Sequence, residues 1–196
     1  MYRCPSRFVH LTLFWVLLLG AGSGVSCSAN LVQKPSSNLR QVPPGSGFIC
    51  MGATSDYMLI GGDSAFSLVL NRMDGPPEKP RELLLIMKEV NQVYDGIYVL
   101  PVGSYRVTQI IAGPYDPVFG RSGGKESAGT GTRSESQAIE VKAGRASVLG
   151  VMALHHKGWA AVGYTTSCVD AALENRIQQK LSGVELHHDC LQVTGP

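Results

Sequence analysis

With 196 residues, 44% of them hydrophobic and 16% charged, the chain has the composition of one ordinary globular domain with a sizeable core, which excludes wholesale disorder. Its formal charge is +2, but Arg3 and Arg7 are the only charges ahead of Cys27, and removing them from the 17 basic residues leaves 15 against 15 acidic ones. A net charge of zero excludes the basic footprint that a nucleic-acid binder needs.

The first segment reads as an export signal. Arg3 and Arg7 precede the apolar run Leu11-Thr-Leu-Phe-Trp-Val-Leu-Leu-Leu19, and small residues follow from Gly20 to Ser26. A basic start, a short apolar middle and a small-residue end make a secretory signal peptide, here over residues 1–26. The run is well short of the roughly 18–20 residues that span a bilayer. Directly after it, Gly24-Val25-Ser26-Cys27 resembles the lipobox of bacterial lipoproteins. That resemblance implies a diacylated Cys27 as the first mature residue, carrying palmitate-type chains into a membrane. The family usually carries Leu where this chain has Gly24, so plain cleavage nearby, for example after Ala29, stays open.

Residues 27–46 are rich in Ser, Asn and Pro without an apolar period and are expected to form a flexible tether, with the domain occupying 47–196. Gly47–Met51 and Tyr57–Ile60 are short apolar runs, and Phe66, Leu68 and Leu70 alternate with Ser67, Val69 and Asn71 as in a half-buried strand. Leu83–Met87 could be a fully buried strand or a turn of helix; its short length and the prolines ahead of it favour the strand. Asp95-Gly96 is a hairpin-type pair leading into Ile97–Leu100. After the Pro101–Gly103 turn comes a strand from Tyr105 to Ile111, with Tyr105, Val107 and Gln109 on one face. Gly113–Ser136 is too long for a hairpin turn and reads as a surface loop. Ala138–Val141 and Ala146–Leu154 flank an Ala143-Gly144 turn, and Gly158–Tyr164 is a further strand.

About eight short strands with turn signals between them predict an all-β fold, an antiparallel β-sandwich. Ser167-Cys-Val-Asp170 has the form of a capping box, and Val169, Leu173, Ile177 and Leu181 fall on one helical face. One amphipathic helix over about 168–182 is therefore expected against the sandwich, stopped by Gly183. Val184–Pro196 is a tail with one edge strand.

Two motifs in the middle of the chain, Leu100-Pro-Val-Gly-Ser-Tyr-Arg-Val107 and Ile139-Glu-Val-Lys-Ala-Gly-Arg-Ala-Ser-Val-Leu-Gly150, resemble a group of bacterial envelope lipoproteins of unassigned activity. Their domains pair a Leu-Pro-x-Gly-x-Tyr hairpin with a Val-x-Ala-Gly…Leu-Gly hairpin in an immunoglobulin-like or prealbumin-like sandwich. The resemblance implies a fold and an envelope compartment, and no reaction.

Several residue groups carry chemistry. His155-His156 and His187-His188, the second pair followed by Asp189-Cys190, hold the donor types of a zinc or copper site. Adjacent strand residues point to opposite faces, so the candidate trio is one histidine from each pair with Cys190; equally, these are surface histidines at strand ends. An exported protein keeps disulfides, and a Cys168–Cys190 bridge would close the helix against the sheet, removing Cys190 as a ligand. Cys50 is either a buried inert thiol or, if Cys27 is not acylated, its partner. Tyr115 and Trp159 form a candidate ligand face, since aromatic planes suit sugars and peptides, or else Trp159 packs the core.

Gly120–Ser127 fails the phosphate-loop spacing because Phe119 and Glu126 stand where Gly and Ser/Thr are needed. Gly62-Asp-Ser-Ala-Phe66 misses the nucleophile elbow. No catalytic residue and no cofactor is assigned. The sequence supports a non-enzymatic binding or structural protein of the cell envelope, facing the periplasm or the surface and tethered to a membrane. Its expected partner is an envelope protein or a glycan. A periplasmic metal-binding protein and an uncharacterised hydrolase are the alternatives.

Overall fold

The computed structural model describes residues 31–39, 42–56, 63–116, 121–122, 138–157, 160–168 and 170–191. Expectations for the leader, Cys27, Tyr57–Ile60, Trp159, Val169 and most of the long loop lie outside these residues. The first sheet contains β1 (Leu31–Gln33), β3 (Ser64–Arg72), β4 (Arg81–Met87), β6 (Gly103–Asp116), β7 (Arg121–Ser122) and β8 (Ile139–Val141), in the order β1-β4-β3-β6-β7 with β8 also on β6. The second contains β2 (Ser46–Ser55), β5 (Tyr94–Pro101), β9 (Arg145–Lys157), β10 (Ala160–Ser167) and β11 (Glu185–His188), in the order β10-β9-β2-β5 with β11 also on β9.

The chain is mostly β, and apolar residues from both sheets meet in one core. Phe66, Leu68, Leu83, Leu85 and Tyr105 from the first sheet pack with Ile49, Met51, Tyr98, Leu149 and Met152 from the second. Tyr98 is fully buried there, and its hydroxyl donates to the Leu84 carbonyl across the interface at 3.0 Å.

The sheets are mixed, not antiparallel as expected. β1 runs parallel to β4, and both β2 and β11 run parallel to β9. The reason lies in the turns. Pro101–Gly103 links β5 of the second sheet to β6 of the first, and Lys142–Gly144 links β8 of the first to β9 of the second. Both expected hairpins are therefore corners between sheets. The chain enters the second sheet at the same end for β2 and for β9, which makes those two strands parallel.

Other departures have local causes. Asp95 and Gly96 lie inside β5, opposite Gly52 and Met51. Gly96 makes no turn; a Cβ there would lie 2.6 Å from the Tyr98 hydroxyl, so the glycine makes room for that ring. In β6 the register shifts between the partners of Val69 and Leu70, and this bulge reverses the side-chain phase. Tyr105 and Val107 face the core, but beyond the bulge Ile110 and Ala112 take over the position expected for Gln109. Within the segment expected as a tether, the described residues contact both sheets. Gln33 donates to the Val99 carbonyl and Ser36 N–H to the Ile97 carbonyl, while Leu39 and Val42 pack on the second sheet.

The helix, α1, spans Ala171–Lys180. It starts later than expected because Asp170 is its cap, accepting from Leu173 N–H at 2.7 Å, where the capping-box pattern had placed Ser167. Leu173, Ile177 and Leu181 bury against Phe48, Cys50, Val148 and Val151 on the outer face of the second sheet. Ahead of the helix, the carbonyl of Ser167 crosses directly over Gly150, which sits at φ +92°.

That crossing yields a test. In Gly150→Ala the new Cβ would lie 2.2 Å from the Ser167 oxygen. Left-handed strain and overlap together should cost about 2–4 kcal/mol in urea unfolding. A loss below about 0.5 kcal/mol, the range of neutral surface changes, would show that the crossing is not held tightly.

Candidate functional site

Three neighbouring strands of the second sheet place one polar side chain each in a row on its outer face. β2 and β9 pair in register with Ser55 beside Leu154, so Asp56, the next residue, falls beside His155. On the other side of β9, His155 is opposite Gly163 and diagonal to Thr165 of β10. His155 Nδ1 lies 3.2 Å from Asp56 Oδ2, and His155 Nε2 lies 3.0 Å from Thr165 Oγ1. With Nδ1–H donating to the carboxylate, Nε2 accepts from the threonine hydroxyl. This is a carboxylate–imidazole–hydroxyl relay, with the histidine and aspartate side chains 49% and 43% exposed. It stands just beyond the start of α1, whose Leu173 covers the sheet at Gly52 and Val151.

The histidine pairs are not brought together. β11 places His187 beside Ser147 and His188 beside Val148, whereas His155 is at the far end of the same β9 strand. At ~3.3 Å per residue the separation along the strand is about 23–26 Å, against metal–ligand bonds of about 2 Å. His187 lies 3.4 Å from Asp189, and His188 is 3.9 Å from Glu174 of α1. His156 pairs with Ala161 in β10. Among the described residues no group of three or more His, Cys, Asp or Glu side chains is arranged to hold a metal ion.

Cys190 is bonded to Cys168, with Cα atoms 5.0 Å apart, which joins the approach to α1 to the end of β11. Cys27 lies outside the described residues, and Cys50 is free and buried. Burial beneath α1, reinforced by the negative charge of Asp95 and opposed by Lys180, pushes its thiol up to about 12. Asp95, only 12% exposed, is held by Arg176 at 3.3 Å and Lys180 at 2.5 Å.

Tyr115 sits at the far end of β6, its N–H donating to the Asp63 carbonyl. Lys34 Nζ lies 5.8 Å from the ring centroid and 3.4 Å from the hydroxyl. Trp159 is outside the described residues.

No family model, no curated protein and no solved structure matches the chain. What the site can do follows from its own geometry. Sequence reading did not connect Asp56 and Thr165 with His155 because 99 and 10 positions separate them from it, and only the strand register aligns them. No helix among the described residues is long and apolar enough to cross a membrane.

Cys50 gives a pH-dependent prediction. The unfolded thiol titrates near 9.0 and the folded one near 12. Between these values the unfolded chain has lost a proton that the native state keeps, so stability falls as pH rises through that window. The slope approaches about 1.4 kcal/mol per pH unit. Denaturant titrations of wild type and Cys50→Ala check this: the variant should lack that part of the slope, and identical slopes would refute the assignment.

Proposed function

We propose that this is an exported protein of the cell envelope, anchored by lipid on Cys27 after removal of residues 1–26 as a signal peptide, with a non-enzymatic binding or structural role. The observation that supports it best is the Cys168–Cys190 bond, since disulfides persist in oxidising compartments outside the cytosol. It agrees with the basic, apolar and small-residue order of the leader. The partner in this reading is an envelope protein or glycan.

Metabolic labelling with palmitate tests the anchor. Wild type should incorporate label and fractionate with membranes, and Cys27→Ser should lose both properties. Unlabelled, soluble wild-type protein would defeat the proposal.

A second reading, hydrolysis of an activated acyl substrate, is favoured by one observation: the row Asp56–His155–Thr165. Thr165 Oγ1 would attack the acyl carbon while its proton passes to His155 Nε2, and the leaving alkoxide would take that proton. Water activated by the same imidazole would then release the acid and restore the threonine. With p-nitrophenyl acetate, Thr165→Val and His155→Ala should each lower the rate by about 10²-fold if the imidazole acts as general base. Equal rates in wild type and both variants would end this reading.

A further inference from the structure

The sandwich has two unlike ends. At one end stand Asp56, Asp63, Tyr115 and His155, together with the β4–β5 turn, whose Asn91 N–H donates to the Ser55 carbonyl. At the other end β1 begins, Leu31 N–H donating to the Pro80 carbonyl. The β3–β4, β5–β6 and β8–β9 connections are gathered at that same end.

Apolar exposure is concentrated where the chain enters. Of the large hydrophobic residues exposed among the described ones, Leu31 (49%), Met73 (49%) and Val102 (36%) lie at this end and Val32 is the next residue of β1; Val90 alone is at the opposite end. The loops that carry them are fastened. Arg72 binds Asp74 at 3.1 Å, Glu78 at 3.2 Å and the Val102 carbonyl at 3.0 Å, and Glu78 also holds Arg81 at 3.3 Å. Asp74 accepts from Ser104 N–H, and Val102 N–H donates to the Gly45 carbonyl. Met73 and Val102 are thus held out on a cross-tied base, and Lys79 and Lys142 are exposed in the same group of connections.

We propose that this end is the membrane-facing surface of the domain, seated on the headgroup layer of the bilayer that holds the Cys27 lipid. The proposal rests on the lipid-anchor reading above. Only three residues lie between Cys27 and Leu31, and these four Cα–Cα steps limit the reach to about 14 Å. An anchored domain entered at this point cannot lift this end far from the bilayer. Apolar side chains beside lysines suit the boundary between acyl chains and anionic headgroups. The His155 row and Tyr115 are then carried at the end that points away from the membrane.

The test uses the full, processed protein in vesicles of phosphatidylethanolamine and phosphatidylglycerol containing nitroxide-labelled lipid. A bimane is attached to Val102→Cys in one preparation and to Val90→Cys in another, with palmitate incorporation measured on both. Acylated protein should show quenching at position 102 at least about twofold stronger than at position 90, as insertion into the interfacial layer requires. Acylated protein with equal quenching at both positions, or stronger quenching at 90, overturns the orientation while leaving the anchor intact. Protein without acyl label overturns the anchor and this proposal together. Quenching at 102 that disappears in Met73→Asp would add that the apolar contact itself seats the domain.

Discussion

The parallel pairing of β2 with β9 is the constraint on which the second sheet depends. These strands lie far apart in sequence, and neither has a complete hydrogen-bonding neighbourhood without the other. Once paired, they present Ile49, Met51 and Leu149 inward and Phe48, Cys50 and Val148 outward, so both faces of the sheet centre are dry. The inward side closes against the first sheet. The outward side needs a cover, and α1 supplies it. The same register carries Asp56 to His155, so the polar row follows from the packing and is not a separate device.

Much of the fold was legible because side-chain period and turn chemistry act locally. The alternation in Phe66–Leu70, the dry run Leu83–Met87 and the stripe Leu173–Ile177–Leu181 all reflect burial that neighbouring residues announce. What local chemistry does not carry is the destination of a turn. Pro101–Gly103 and Ala143-Gly144 bend the chain in the same way whether the next strand pairs with the last or crosses to the opposite sheet. Here both cross, which changes antiparallel pairing into mixed sheets. Gly96 shows the same limit on a smaller scale: a residue typical of turns serves instead to accommodate Tyr98. The row at His155 was illegible for a related reason, since its three members acquire proximity only from register.

The N-terminal segment shows how composition alone misleads. Ser, Asn and Pro in residues 31–46 look like a linker, yet the open side between β4 and β5 offers this segment unpaired backbone groups. β1 adds to β4 in the first sheet, while Gln33 and Ser36 bond β5 in the second. An extended stretch poor in apolar residues can join both sheets because backbone and amide hydrogen bonds do the joining. It also shields edges that would otherwise invite another strand.

The helix is where these constraints converge. Ten residues are too few for a stable isolated helix in water, where ~12–15 is already marginal. Its order therefore has to come from its attachments, and these act at three separate points. The Cys168–Cys190 bond fixes the approach to its first turn, the three apolar side chains seat its middle, and Asp95 receives Arg176 and Lys180 near its end. Asp95 is the least replaceable of these ion-pairing groups. At 12% exposure it would be a poorly solvated carboxylate if the cations were removed, and its charge already bears on the Cys50 thiol below. The pairing thus does more to prevent an uncompensated charge at the edge of a dry interface than to add attraction. That accounts for two cations converging on one carboxylate at the rim of the helix and for the uncharged thiol beneath it.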